Sequence, residues 1–187
     1  MSTLSYFPVP EFDDLPEDIK EVFTAAQEEA GFIPNFYLAY ANRPDELRAF
    51  SALHKALFER ETGLSNAERE LIAVATSAAN DCLYCVISHG ALLRVETENP
   101  LIADQVGINP VKAELTDRQR LIVDFALQVS LDSKTVSQAR IDQLRAAGLT
   151  DDEIWDTGAV ASFFAQSNRI ANFIGARPNP EYYGTGR

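Results

Sequence analysis

The chain has 187 residues, 46% apolar and 24% charged, enough for one domain with a core of its own. Sixteen basic residues stand against 28 acidic ones. The net charge of −12 argues against a nucleic-acid partner and against electrostatic docking on an anionic membrane.

The opening residues, Met1 to Pro8, carry neither a basic stretch nor an apolar run, so no secretory signal is read. No apolar run approaches the ~20 residues of a membrane span. A cytoplasmic, reducing compartment is the expectation. There a cysteine pair points to redox or metal chemistry rather than to a structural staple. Residues 1–31 hold eight acids (Glu11, Asp13, Asp14, Glu17, Asp18, Glu21, Glu28, Glu29) against the single base Lys20. This is read as a solvated helix face in preference to a docking surface for a basic partner.

Residues 1–15 read as an extended lead-in containing Pro8 and Pro10. Pro16 opens a helical pattern through Ile19, Val22, Phe23 and Ala26, ended by Gly31. A short segment follows Pro34. Pro44 then starts a helix with Leu47, Phe50, Leu53, His54, Leu57 and Phe58 at spacings of three and four. Ser65 with Glu68 is a capping box that opens a helix to about Ala79. Asn80-Asp81 breaks the pattern, and Asp81 is read as the cap of a helix from Cys82 to about Val95. Residues 96–115 read as a loop with one short helix. Thr116 with Gln119 is a second capping box, Ser137 starts a further helix closed by Gly148, and Thr150 with Glu153 caps a long last helix to Gly175. Residues 176–187 read as an irregular tail. No segment alternates with a period of two, so the prediction is all-α: a single-domain helical bundle of about seven to nine helices over residues 1–187.

The only two cysteines form Cys82-Leu83-Tyr84-Cys85, and His89 follows four residues later. On a helix, Cys82, Cys85 and His89 fall within an arc of about 60°, predicted to face the interior, with Tyr84, Ser88 and Arg94 pointing elsewhere. A helix N-terminus favours a thiolate. A histidine on the same face can take a thiol proton, and a second thiol can trap a sulfenic acid as a disulfide. Twelve residues before Cys82 lies Glu70, on a small apolar side of its helix, about 120° from a polar side centred on Arg69 and Thr76. It reads either as a partner that orients His89 or as an exposed first-turn acid.

This run, from Glu70 to Cys82-Leu83-Tyr84-Cys85 and His89, resembles the signature of the AhpD-like alkylhydroperoxidases, in the carboxymuconolactone decarboxylase superfamily. Ser65 to Leu71, Leu144 to Leu149 and Asn168 to Asn172 resemble the peroxidase-related members, and the likeness covers most of residues 10–175. It implies an AhpD-like helical fold and a cysteine-dependent hydroperoxide reductase. Cys85 would be the peroxidatic thiol, oxidised to sulfenic acid. Cys82 would be the resolving thiol and proton donor, and Glu70 with His89 the proton relay. It further implies no bound cofactor or metal, an external dithiol reductant such as a lipoyl or thioredoxin-like protein, and a homo-oligomer, trimer or hexamer. Some members carry a histidine just before the second cysteine; here that residue is Tyr84, which alters any role of that histidine. Decarboxylase members do not rely on the cysteine pair, which argues against decarboxylation.

Other readings use the same residues. A dithiol–disulfide oxidoreductase or redox sensor with little turnover needs the same parts. A structural zinc site would take Cys82, Cys85, His89 and Glu70, although that spacing within one helix fits a loop-borne knuckle poorly. The pair could also be inert. His54 reads as a core or interface histidine, and Asn168 and Asn172 as interhelix hydrogen-bonding residues. Trp155 reads as a core or interface aromatic, and Tyr182 and Tyr183 as exposed tail residues at an interface.

Overall fold

Nine α-helices follow one another in a computed structural model whose described residues are 4–61 and 63–187, apart from the Glu29 side chain. They are α1 (Glu17–Ala30), α2 (Asn35–Tyr40), α3 (Pro44–Phe58), α4 (Asn66–Ala79), α5 (Leu83–Thr97), α6 (Ile102–Ile108), α7 (Asp117–Asp132), α8 (Gln138–Ala146) and α9 (Asp151–Ile174). Short 3-10 turns lie at Phe12–Asp14, Ser133–Thr135 and Pro180–Tyr183. No strand occurs among the described residues, in agreement with the all-α prediction. Among them no helix is long and apolar enough to cross a membrane. Met1, Ser2 and Thr3, part of the lead-in read as lacking a signal, lie outside the described residues.

All three capping boxes form. Ser65, Thr116 and Thr150 each accept from the backbone N–H three residues on, and Glu68, Gln119 and Glu153 each accept the cap residue's own N–H. Two of these boxes are joined by one side chain. Arg118, in the first turn of α7, places Nε 2.7 Å from Glu68 Oε1 and Nη2 2.7 Å from Glu153 Oε1. The starts of α4, α7 and α9 are thereby tied at one end of the bundle.

Helix α4 is the centre of the fold. Ten consecutive residues, Glu68 to Ser77, are buried, and the helix packs against α5, α6, α7 and α9. Ile72 and Ala73 face one apolar cluster, with Phe36, Phe50, Phe163 and Phe164; Leu71, Val74 and Ala75 face a second, with Leu93, Ile102, Val106 and Val123. A helix covered on every side has no solvated stripe. The expected polar side centred on Arg69 and Thr76 is therefore a correction: both are buried, because α7 and α9 cover that side.

The α4–α5 junction is a second correction. Asp81 does not cap α5; it ends α4. Its φ of 51° is left-handed, its N–H donates to Ala78 O (3.1 Å), and Cys82 N–H donates to Ser77 O (2.9 Å). That pair of bonds is the Schellman arrangement, which needs a left-handed residue at this position, and aspartate tolerates one better than most. Cys82 itself is the N-cap residue of α5.

Two aromatic readings change. Trp155 is 71% exposed, so it is not a core residue. Tyr183 is exposed, but Tyr182 is half-buried and packs inward, its ring edge-on to Phe32 at 5.0 Å. Of the eight N-terminal acids, the seven with described side chains are all exposed, as a solvated face requires, and Asp18 pairs with Arg48.

Replacing Arg118 by Met should lower unfolding free energy by about 1–2 kcal/mol, since it strands two partly buried carboxylates while each keeps its capping role. Chemical denaturation followed by circular dichroism measures this, with an unchanged helical signal before the transition.

Candidate active site

The junction between α4 and α5 brings the chemistry together. Glu70 sits in the second turn of α4 and His89 in the second turn of α5. Glu70 Oε2 lies 2.8 Å from His89 Nδ1, across the interface of the two helices. Glu70 is 5% exposed, so the exposed-acid reading is excluded and the orienting one is geometrically satisfied. A buried carboxylate favours a hydrogen-bond donor, so Nδ1 carries the proton and Nε2 the free lone pair. The imidazole is held edge-on to Phe164 at 4.6 Å.

Both thiols are reduced and buried, Cys82 at 0% exposure and Cys85 at 2%. They behave as a pair. The Cys82 thiol is lowered to about 7, chiefly because Cys85 Sγ–H donates to it, with the Cys85 backbone N–H and Asn168 adding support against the cost of burial. The Cys85 thiol is pushed well up, by that same bond to Cys82 and by its own burial. Of the two, Cys82 is therefore the easier to ionise, and Cys85 the one that holds its proton.

Access separates the two. Cys85 lines a cavity of about 140 Å³; Cys82 lies behind it and does not. The cavity walls are mostly aromatic, including Phe36, Phe50, Phe163 and Phe164, and His54 and His89 also line it. Two larger surface grooves, of about 570 and 590 Å³, contain neither cysteine nor histidine.

Several residues at the site were missed or misread in sequence. Asn168 does bond between helices, donating to Ser77 Oγ (2.8 Å) and accepting from Asn80 Nδ2 (3.2 Å). It also favours the ionised forms of both thiols. Ser167 Oγ lies 3.9 Å from Cys85 Sγ. Asn172 bonds to Asn80 O (3.2 Å), an interhelix contact as read. His54 stacks on Phe58 at 4.5 Å and lines the cavity, where burial and the nearby His89 lower it to about 4. The apolar spacing around His54 gave no hint of a cavity. Tyr84, Ser88 and Arg94, expected to point away from the interior, are all buried. Packing of α5 against α4, α6, α9 and the C-terminal turn covers these three, while Leu83, Leu92 and Val95 lie on its exposed side.

Among the described residues no group of three His, Cys, Asp or Glu side chains is arranged to hold a metal ion. The four residues that the zinc reading needs do not converge on one point.

The carboxymuconolactone decarboxylase family profile matches residues 44–100, the stretch from the start of α3 through the Cys82–His89 segment. An alkylhydroperoxidase AhpD-core, peroxidase-related protein from Ralstonia eutropha JMP134 is 50% identical, with a TM-score of 0.98 over 100% of this chain and 98% of that one. The chain belongs to the AhpD-like group of the carboxymuconolactone decarboxylase superfamily. A peroxidase-related protein from Silicibacter sp. TM1040 is 36% identical, covering 100% of this chain and 97% of that one, with a TM-score of 0.93. The debrominase Bmp8 shares the fold at 18% identity, with a TM-score of 0.77 over 99% of this chain and 96% of that one. No curated protein matches.

Two pH effects follow. Labelling of the thiol pair by iodoacetamide should rise with a midpoint near pH 7 rather than near the usual ~8.5, as read by mass spectrometry. Half-buried His54 stays neutral in the folded chain down to about pH 4. As pH falls from 6.5 towards about 4, the unfolded chain takes up a proton that the folded one refuses, so stability present above 6.5 is lost across that window. Unfolding free energy should drop by about 1–2 kcal/mol between pH 7 and pH 5, and His54→Phe should remove most of that drop.

Proposed function

We propose that this chain is a cysteine-dependent reductase of organic hydroperoxides. The observation that carries the reading is that Cys85 and His89 line one aromatic cavity, with His89 hydrogen-bonded to buried Glu70 at 2.8 Å. Membership of a group whose members include peroxidase-related proteins supports it. The apolar walls favour a peroxide bearing a small hydrocarbon group.

The cycle begins with the thiol pair singly ionised and the released proton held by the His89–Glu70 pair. As a hydroperoxide enters, Cys85 passes its proton to Cys82 and its sulfur attacks the terminal peroxide oxygen. The S–O bond forms and the O–O bond breaks. The departing alkoxide takes a proton from His89 and leaves as an alcohol. Cys82 then attacks the sulfenic sulfur of Cys85, and the departing hydroxide takes the Cys82 proton to give water. The disulfide is restored to two thiols by an external dithiol of the lipoyl or thioredoxin class. Because Cys85 alone lines the cavity, the reductant attacks its sulfur.

Peroxide consumption with cumene hydroperoxide and dihydrolipoamide tests the cycle. Cys85→Ser should abolish turnover. Cys82→Ser should stop after one equivalent with a sulfenic acid that dimedone traps. Glu70→Gln should slow turnover by about 10–100-fold. Full activity in Cys85→Ser sinks the proposal. Oxidation of one equivalent without turnover in the parent protein would assign it to the redox-sensor class instead.

A further inference from the structure

The C-terminal segment runs across the mouth of the site. It is fixed before and after Tyr182. Upstream, Asn179 Oδ1 accepts from Asn35 N–H (2.7 Å) and its Nδ2 donates to Ile33 O (2.9 Å). Downstream, Arg94 donates to Tyr182 O (2.8 Å) and Thr185 O (2.9 Å), and Arg187 pairs with Asp104 at 2.8 Å. Arg94 is a buried residue of α5, so the helix that carries Cys85 also anchors the strap. Between these anchors Tyr182 turns inward and lines the Cys85 cavity together with Tyr84.

The two phenols both line the Cys85 cavity, and each perturbs the other's ionisation. Burial keeps both neutral, Tyr182 being pushed up to about 12 and Tyr84 well above its ordinary value. At neutral pH both phenols therefore carry a proton to donate. An alkoxide expelled into this aromatic cavity has little water to solvate it, and a fixed donor there stabilises the charge as it develops.

We propose that Tyr182 is a catalytic residue that donates a hydrogen bond to the leaving oxygen of the peroxide, so that the C-terminal strap is a working wall of the active site. This rests on the peroxidase reading above. In the step it assists, Cys85 sulfur gains the hydroxyl group of the peroxide and is oxidised by two electrons while the O–O bond is reduced. The alkoxide accepts the Tyr182 hydrogen bond until the His89 proton converts it to the alcohol.

The test compares two reactions of the same thiol. Oxidation of Cys85 by cumene hydroperoxide is followed by rapid quench and mass spectrometry, and alkylation of Cys85 by iodoacetamide is followed in parallel. Alkylation expels iodide and has no leaving oxygen for a phenol to serve. Tyr182→Phe should slow oxidation by about tenfold or more and leave alkylation within twofold of the parent. Tyr183→Phe, on the same strap but outside the cavity, should change neither reaction. Unchanged oxidation in Tyr182→Phe overturns the inference alone, as does an equal fall in both reactions, which marks a general disturbance of the site. A parent protein whose Cys85 is not oxidised overturns the peroxidase reading and the inference with it.

Discussion

The hydrogen bond between Glu70 and His89 depends on a carboxylate being placed inside the protein, and that placement follows from α4 being enclosed on every side. A buried charge without a partner is costly enough that it would be neutralised or the helix would shift. Here the partner comes from the adjacent helix, reached through a junction of three residues. The Schellman turn at Asn80-Asp81-Cys82 sets the angle between α4 and α5. The same turn that ends α4 therefore brings His89 to Glu70 and puts Cys82 against Ser77 and Asn168.

Around that bond the polar groups fall into separate layers. Glu70 and His89 form one. The thiols, with Asn168 and Ser167, form a second, in which Cys82 is the more readily ionised. The tyrosine hydroxyls form a third at the strap. Phe36, Phe50, Phe163 and Phe164 fill the space between, so the layers interact in a medium less polar than water and each charge is felt strongly by the next. The ionisation of Cys82 is an example: its position is set by what Cys85 and Asn168 donate to it, against the penalty of burial.

The fold alone does not define the reaction. The debrominase Bmp8 has this fold at 18% identity. Helical bundles of one architecture host different chemistries, and the argument for activity has to rest on the side chains of the site. In this chain those are the thiol that reaches the cavity, the histidine that adjoins it and the buried acid behind the histidine.

Much of this was legible in the sequence. Three capping boxes, read from Ser65, Thr116 and Thr150, mark the true starts of α4, α7 and α9, because capping is a local interaction between residues three apart. The clustering of both cysteines and His89 on one helical face is likewise local, and so is the suspicion attached to Glu70. What the sequence could not show is which faces are covered. Arg69, Thr76, Tyr84 and Arg94 look like surface residues by pattern, and are buried because other helices and the C-terminal turn pack over those sides of α4 and α5. Asp81 reads equally well as the start of one helix or the end of another until φ decides it. Asn168, more than eighty residues from the thiols, and Tyr182, nearly a hundred away, reach the site only through tertiary packing. The sequence by itself determined the helices, the thiol pair and the residues able to move a proton, since these depend on neighbours three to seven positions apart. The tertiary structure decided that Glu70 meets His89, that Cys85 and not Cys82 lines the cavity, and that Tyr182 of the C-terminal tail forms part of its wall, since each depends on which buried surfaces come together.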